Sequence, residues 1–308
     1  MTGLALLKNT WQIHSNMGFF TFIKNSALKL SLFVIISFTC LLSACTSLAA
    51  CNKQENNPAP IPPAALTFQT IFSDSFNIAT WSTNWSSNHG EPLITLPTII
   101  NSPNPAGGKA MSALSSTSQP NPYRTELSLA PENLKLQDDK EYRISFETYV
   151  KQYDFLNPPN WMVISQFHAT PGLDANGQIA WSCSGGRNPV SLTLAKGKYG
   201  VNINTVPAMQ APNGALADND SWNEPITLNT WVKWVIRLTP SQTNKGVVQV
   251  WKDGILIATH LGRNKDTNDK CGHPDSPIVF FKIGTYKEYT NTGTQEIIYD
   301  NVKLEVLK

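Results

Sequence analysis

The chain has 308 residues, of which 41% are hydrophobic and 15% charged. That is long enough to bury a substantial core in one domain. The formal net charge of +2 gives no reason to expect a nucleic-acid partner, so positive charge has to be judged locally.

Chain order begins with the pattern of export. Lys24 and Lys29 precede an apolar run from Leu30 to Leu42, followed by the small residues Ser43 and Ala44. Positive, apolar and small stretches in that order mark a secretory signal, expected over 1–44. The run is too short for a membrane-spanning helix, which needs ~20 apolar residues. Leu42-Ser-Ala-Cys45 has the shape of a bacterial lipobox, and Leu48-Ala-Ala-Cys51 repeats it. Cys45 is the favoured acylation site and Cys51 the alternative. A plain cleaved signal with incidental cysteines is the simpler reading, and Met17 is an alternative start. Neither cysteine is followed by Asp. The expected location is therefore the cell envelope, at the outer membrane or in the periplasm, unless the protein is secreted. Residues 45–65 are polar and proline-rich and read as an extended linker.

Residues 66–308 form the expected single folded domain, and their pattern is β nearly throughout. Tyr123-Arg-Thr-Glu-Leu-Ser128 sets Arg124 and Glu126 on one strand face and Leu127 on the other. Tyr142 to Val150 alternates with period two, as a half-buried strand does. Val163-Ile-Ser-Gln-Phe-His168 places Gln166 and His168 together, opposite Phe167. Cys183-Ser-Gly-Gly-Arg-Asn188 is turn-rich and offers Arg187 as a substrate contact, with Lys198 and Tyr199 weaker candidates. Met209 to Pro225 reads as a long loop. Trp231 to Leu238 reads as a strand, and Gly246 to Ala258 as a hairpin turning at Asp253-Gly254. Phe280-Phe-Lys-Ile-Gly-Thr-Tyr286 aligns Lys282, Gly284 and Tyr286 opposite Phe281 and Ile283, and Gln295 to Val306 closes the chain. Many short antiparallel strands without helical periodicity predict an all-β sandwich or jelly roll. In an oxidising compartment Cys183 and Cys271 can pair; the alternative is two buried thiols. No Cys/His spacing suggests zinc.

Tyr-Arg-Thr-Glu-Leu, Gln-Phe-His and Phe-Phe-Lys-Ile-Gly-Thr-Tyr, in this order, resemble the three motifs of β-jelly-roll polysaccharide lyases. These include alginate lyases, glucuronan lyases and heparin lyase I-like enzymes. The resemblance runs from about Phe68 to Leu307 and implies a concanavalin A-like sandwich, a monomer, and β-elimination on an acidic uronate polymer. It also implies roles. Arg124 and Gln166 neutralise or hydrogen-bond the sugar carboxylate. His168 acts as base. Tyr286 acts as acid, or as both acid and base. Glu126 orients Arg124 at the substrate, and Lys282 holds a neighbouring carboxylate. No cofactor is required, although a structural Ca²⁺ is compatible with the family.

The sequence departs from the alginate-lyase wording at Ser128 and at Lys287-Glu288, which points toward the glucuronan and heparin lyase I-like branch. Glu288 beside a polyanion would need a partner, with Lys287 or Arg263 as the candidates. Two other readings compete. A binding-only, lectin-like lipoprotein would use some of the nine tryptophans to stack on sugars. A glycoside hydrolase needs two flanking carboxylates, and the Glu-x-Asp-x-x-Glu spacing of sandwich hydrolases is missing. Tyr142, Tyr149, Tyr289 and Tyr299 are expected to be structural.

Overall fold

The computed structural model describes residues 66–77, 83–87, 95–104, 107–129, 134, 136–169, 188–203, 220–265 and 279–308. Arg187, Cys45, Cys51, Cys183, Cys271, the signal and the linker lie outside the described residues.

The described residues form two antiparallel sheets and no helix. The first sheet contains β1 (Phe68–Asp74), β3 (Thr98–Asn101), β4 (Lys109–Ser115), β6 (Tyr142–Tyr153), β11 (Trp231–Thr239), β12 (Val247–Lys252), β13 (Ile255–Leu261) and β15 (Gln295–Leu307). The second contains β2 (Trp85–Ser86), β5 (Arg124–Leu129), β7 (Met162–Ala169), β8 (Val190–Ala195), β9 (Lys198–Ile203), β10 (Asp220–Pro225) and β14 (Val279–Lys287). Strand order is β13-β12-β11-β6-β15-β4-β3 in the first, with β1 also on β15, and β10-β9-β8-β7-β14-β5-β2 in the second. This is the expected all-β sandwich, and the period-two reading explains it: in β6 Tyr142, Ile144, Phe146, Thr148 and Val150 are buried while their neighbours are partly open.

The inward faces meet in one hydrophobic core. Phe146 of the first sheet packs on Phe281 of the second with centroids 5.6 Å apart, and Trp234 meets Tyr199 edge-on at 5.5 Å. Each such aromatic side chain contributes about 1.5–3 kcal/mol by leaving water. Tyr199 is therefore core, not a substrate contact, and its hydroxyl is pushed up in pKa by burial. The hairpin turns where expected, with Asp253 at φ 50° and Gly254 at φ 82°. Positive φ at both central residues matches the right-handed twist of the flanking strands. The proposed loop 209–225 needs correction at its C-terminal end. Residues 220–225 form β10, an edge strand on β9, and Trp222 is drawn against Trp234 at 6.4 Å.

Candidate active site

All three motif strands lie side by side in the second sheet, with β14 between β7 and β5. The register sets Lys282 opposite both Gln166 and Ser128, Gly284 opposite Glu126, and Tyr286 opposite Arg124. Leu127, Phe167, Phe281 and Ile283 fill the core beneath. The polar partners therefore share the outer face, as the alternation required.

Glu126 is the hub. Its Oε2 accepts a hydrogen bond from Arg124 Nε at 2.7 Å, and its Oε1 accepts one from Gln166 Nε2, also at 2.7 Å. Asn188 Nδ2 in turn donates to Gln166 Oε1 at 2.6 Å. Glu126 and Gln166 are each only 2% exposed. A buried carboxylate held by a guanidinium and an amide is stabilised by both charge and hydrogen bonding. Both oxygens of Glu126 are engaged by Arg124 and Gln166, so Glu126 holds these two side chains in place. With Nε fixed, the remaining fork of Arg124 is aimed, and its Cζ lies 4.5 Å from the ring centroid of Tyr286. Asn121 Oδ1 accepts from the backbone N–H groups of Tyr123 and Arg124, which fixes the entry into β5.

Lys282 is 3% exposed, with its ammonium 5.4 Å from the Phe280 ring centroid. Its charge therefore lies within the polar face of the sheet and is not held out toward solvent. His168 packs at 5.3 Å against the same Phe280. It also pairs with Phe280 in register, six positions along β14 from Tyr286, which is roughly 20 Å of strand. The two can meet at one carbon only if both side chains lean along the strand. That separation was not readable from the motifs.

Gly284 answers to its neighbouring strand. It sits at φ 130° in a β-bulge between Ile283 and Tyr286, and an added Cβ would lie 2.1 Å from the Thr125 carbonyl oxygen. Glycine is required for the neighbouring backbone, not for the approach of a ligand. The bulge is held from inside the sandwich: the Tyr299 hydroxyl reaches Ile164 O at 2.8 Å and Gly284 O at 2.9 Å. Burial, with the Glu126 charge adding to it, pushes the Tyr299 pKa well above its ordinary value.

Two aromatic neighbours of Tyr286, Trp161 and Tyr289, escaped the motif reading. Trp161 packs edge-on against its ring at 5.2 Å, Tyr289 lies at 6.2 Å, and Tyr123 meets Tyr289 at 5.2 Å. The departure Lys287-Glu288 also has a structural explanation. Lys287 turns inward, fully buried, and donates to Gly293 O and to Gln295 Oε1; burial lowers its pKa to about 8. Glu288 is bound by neither Lys287 nor Arg263. It accepts from the backbone N and Nδ2 of Asn160 at 2.6 and 3.0 Å. Among the described residues no group of three or more His, Cys, Asp or Glu is placed to hold a metal ion, so no Ca²⁺ site is assigned. No described helix is long and apolar enough to cross a membrane.

Comparison with known proteins agrees with this geometry. The polysaccharide lyase family model matches residues 76–303. Among solved structures, the endo-β-1,4-glucuronan lyase of the fungus Trichoderma reesei aligns at 16% identity and TM-score 0.50, over 77% of this chain and 95% of that one. Alginate lyase A1-II′, of polysaccharide lyase family 7, aligns at 16% identity and TM-score 0.44, over 74% and 86%. The cellulose-induced protein Cip1 aligns at 16% and TM-score 0.44, over 76% and 96%. No curated protein matches the chain. With the family model covering most of the chain and the motif strands adjacent on one sheet, the chain belongs to the polysaccharide lyase family and is a polysaccharide lyase.

Proposed function

We propose that the enzyme cleaves a uronic-acid-containing polysaccharide, glucuronan- or alginate-like, by endolytic β-elimination centred on Arg124 and Tyr286. The observation that carries this reading is the Glu126-anchored guanidinium lying 4.5 Å from the Tyr286 ring. A uronate C5 proton is weakly acidic because its removal adds charge beside a carboxylate. Arg124, with Gln166 beside Glu126, supplies the positive and hydrogen-bonding environment that this developing charge needs. The same guanidinium favours the phenolate of Tyr286. The phenolate takes the C5 proton, the C5–H electron pair forms the C4–C5 double bond, and the C4–O bond breaks. The departing oxygen then takes the proton back from Tyr286. His168, on β7 opposite Phe280 and far from Tyr286 along the strands, holds a neighbouring sugar in this scheme. Its role as base remains the alternative assignment, and Arg187 is proposed as a further contact. The scheme requires no metal or cofactor, so EDTA should leave the rate unchanged, and a loss of activity with EDTA would point to a structural Ca²⁺.

The name of the fungal neighbour makes polyglucuronate the first polymer to test, with alginate second. The full chain is incubated with each, and the ultraviolet absorbance of the unsaturated uronate is followed. Tyr286→Phe should lower the rate by roughly 10²–10⁴-fold, the range of a lost acid–base group, and His168→Ala by much less. The reverse order would make His168 the base. We also propose export and lipid anchoring through Cys45, acting as a monomer. Loss of the protein from the membrane fraction in Cys45→Ala, and not in Cys51→Ala, would bear this out.

A further inference from the structure

The segment following the motif tyrosine is pinned at several points. The Lys287 ammonium is fixed inside the fold by Gly293 O and Gln295, Glu288 grips the Asn160 amide groups, and Asn291 Nδ2 donates to Asn157 O at 3.0 Å. Asn291 Oδ1 also accepts from Gly293 N at 3.0 Å, which tightens the turn. The side chain this turn presents is Tyr289, 56% exposed and flanked by Tyr123. Its hydroxyl lies 3.3 Å from the hydroxyl of Tyr286.

From this geometry we infer that Tyr289 is a positioning residue for the reaction, donating a hydrogen bond that stabilises the phenolate of Tyr286 and links it to solvent. The inference rests on the reading of Tyr286 as the acid–base group. In the neutral pair either hydroxyl can donate. Once Tyr286 has lost its proton it can only accept, so Tyr289 must be the donor. Charge shortens and strengthens such a contact, and 3.3 Å leaves room for shortening. Tyr289 is itself exposed, so the hydroxyl pair is open to water on its side, while Trp161 and Arg124 pack on the Tyr286 ring.

The charged and titratable groups on the surrounding elements are Arg124 and Glu126 on β5, His168 on β7, Lys282 and Lys287 on β14, and Tyr123, Glu288 and Tyr289 in the flanking turns. Glu126 is tied to Arg124, Glu288 to Asn160, and the Lys287 ammonium to the interior. Arg124 lies against the Tyr286 ring and Tyr289 against its hydroxyl, and both can favour the phenolate.

The test is an ultraviolet titration of ionised tyrosine on the full-length protein, needing no substrate, in the wild type, Tyr286→Phe and Tyr289→Phe. The two hydroxyls titrate as a pair, so the lowest ionisation belongs to both. Tyr286→Phe should abolish that step, and Tyr289→Phe should move it up by ~1–2 pH units, the worth of one hydrogen bond to a charged group. With polyglucuronate, the alkaline rise of kcat/KM should shift upward by the same amount in Tyr289→Phe, with the rate recovering at high pH. A lowest step that stays in place in Tyr289→Phe overturns the inference, whatever the cleavage assay gives. Full cleavage by Tyr286→Phe overturns the proposed role of Tyr286 instead, and the titration still decides whether the hydroxyl pair shares its proton.

Discussion

Glu126 ties two polar side chains of the site to each other. Its two oxygens hold Arg124 and Gln166 in a buried environment, so removing the carboxylate strands a cation and orphans an amide. Breaking such a pair costs about 3–5 kcal/mol because the remaining charge is left uncompensated. Glu126→Ala should therefore lower both Tm and kcat, measured by calorimetry and by the absorbance assay. Arg124→Lys keeps the charge but loses the planar fork, and should lower kcat while Tm falls less. Arg124, Glu126, Gln166, Lys282 and Tyr286 could be picked out because a period of two places them on one face. Tyr289 could not, since it stands three residues past Tyr286, beyond the strand end and around a turn, where alternation carries no information. Glu288 was equally opaque: its partner, Asn160, sits in a separate loop that only tertiary contact brings near.

At the level of the strand, β14 does two jobs at once. Its inward residues bind the sandwich while its outward ones join the polar face of the motif strands, and a bulge at Gly284 interrupts its register. Gly284→Ala would force a methyl group against the Thr125 carbonyl at a φ that side chains avoid. It should unfold the protein at a markedly lower temperature or prevent its accumulation, as read by thermal melts and soluble yield. Tyr299→Phe deletes the hydroxyl that serves Ile164 O and Gly284 O and should cost about 1–3 kcal/mol, since buried carbonyls lose their partner. Existence and type of β6, β11, β14, β15 and the Asp253-Gly254 hairpin were legible because each follows local periodicity or turn chemistry. The bulge was not, because a glycine among alternating residues looks the same whether it makes room for a ligand or for a neighbouring strand. β10 was hidden by its Asn-, Asp- and Pro-rich composition, overridden by pairing with β9.

For the molecule as a whole, pH should act on stability through Lys287. Burial lowers its folded pKa to about 8 from the ordinary lysine value of 10.5. Between those values the unfolded chain holds more protons than the folded one, so this group's contribution to stability rises with pH across that window and is constant below it. The Tm of the wild type relative to Lys287→Met should therefore climb from pH 8 to 10.5. A flat difference would place the Lys287 pKa near its ordinary value.

The strand pairing of β1 with β15 runs from Phe68 opposite Leu307 to Asp74 opposite Val302, and Lys308 N donates to Thr67 O. The two ends of the folded domain are thus next to each other, within reach of a short peptide bridge. A circularly permuted chain, joined there and reopened at the Asp253-Gly254 tip, would keep every ladder of both sheets intact. New termini would then emerge at the far edge of the non-catalytic sheet, giving a place to graft a binding module or surface tether without touching the polar face of the motif strands.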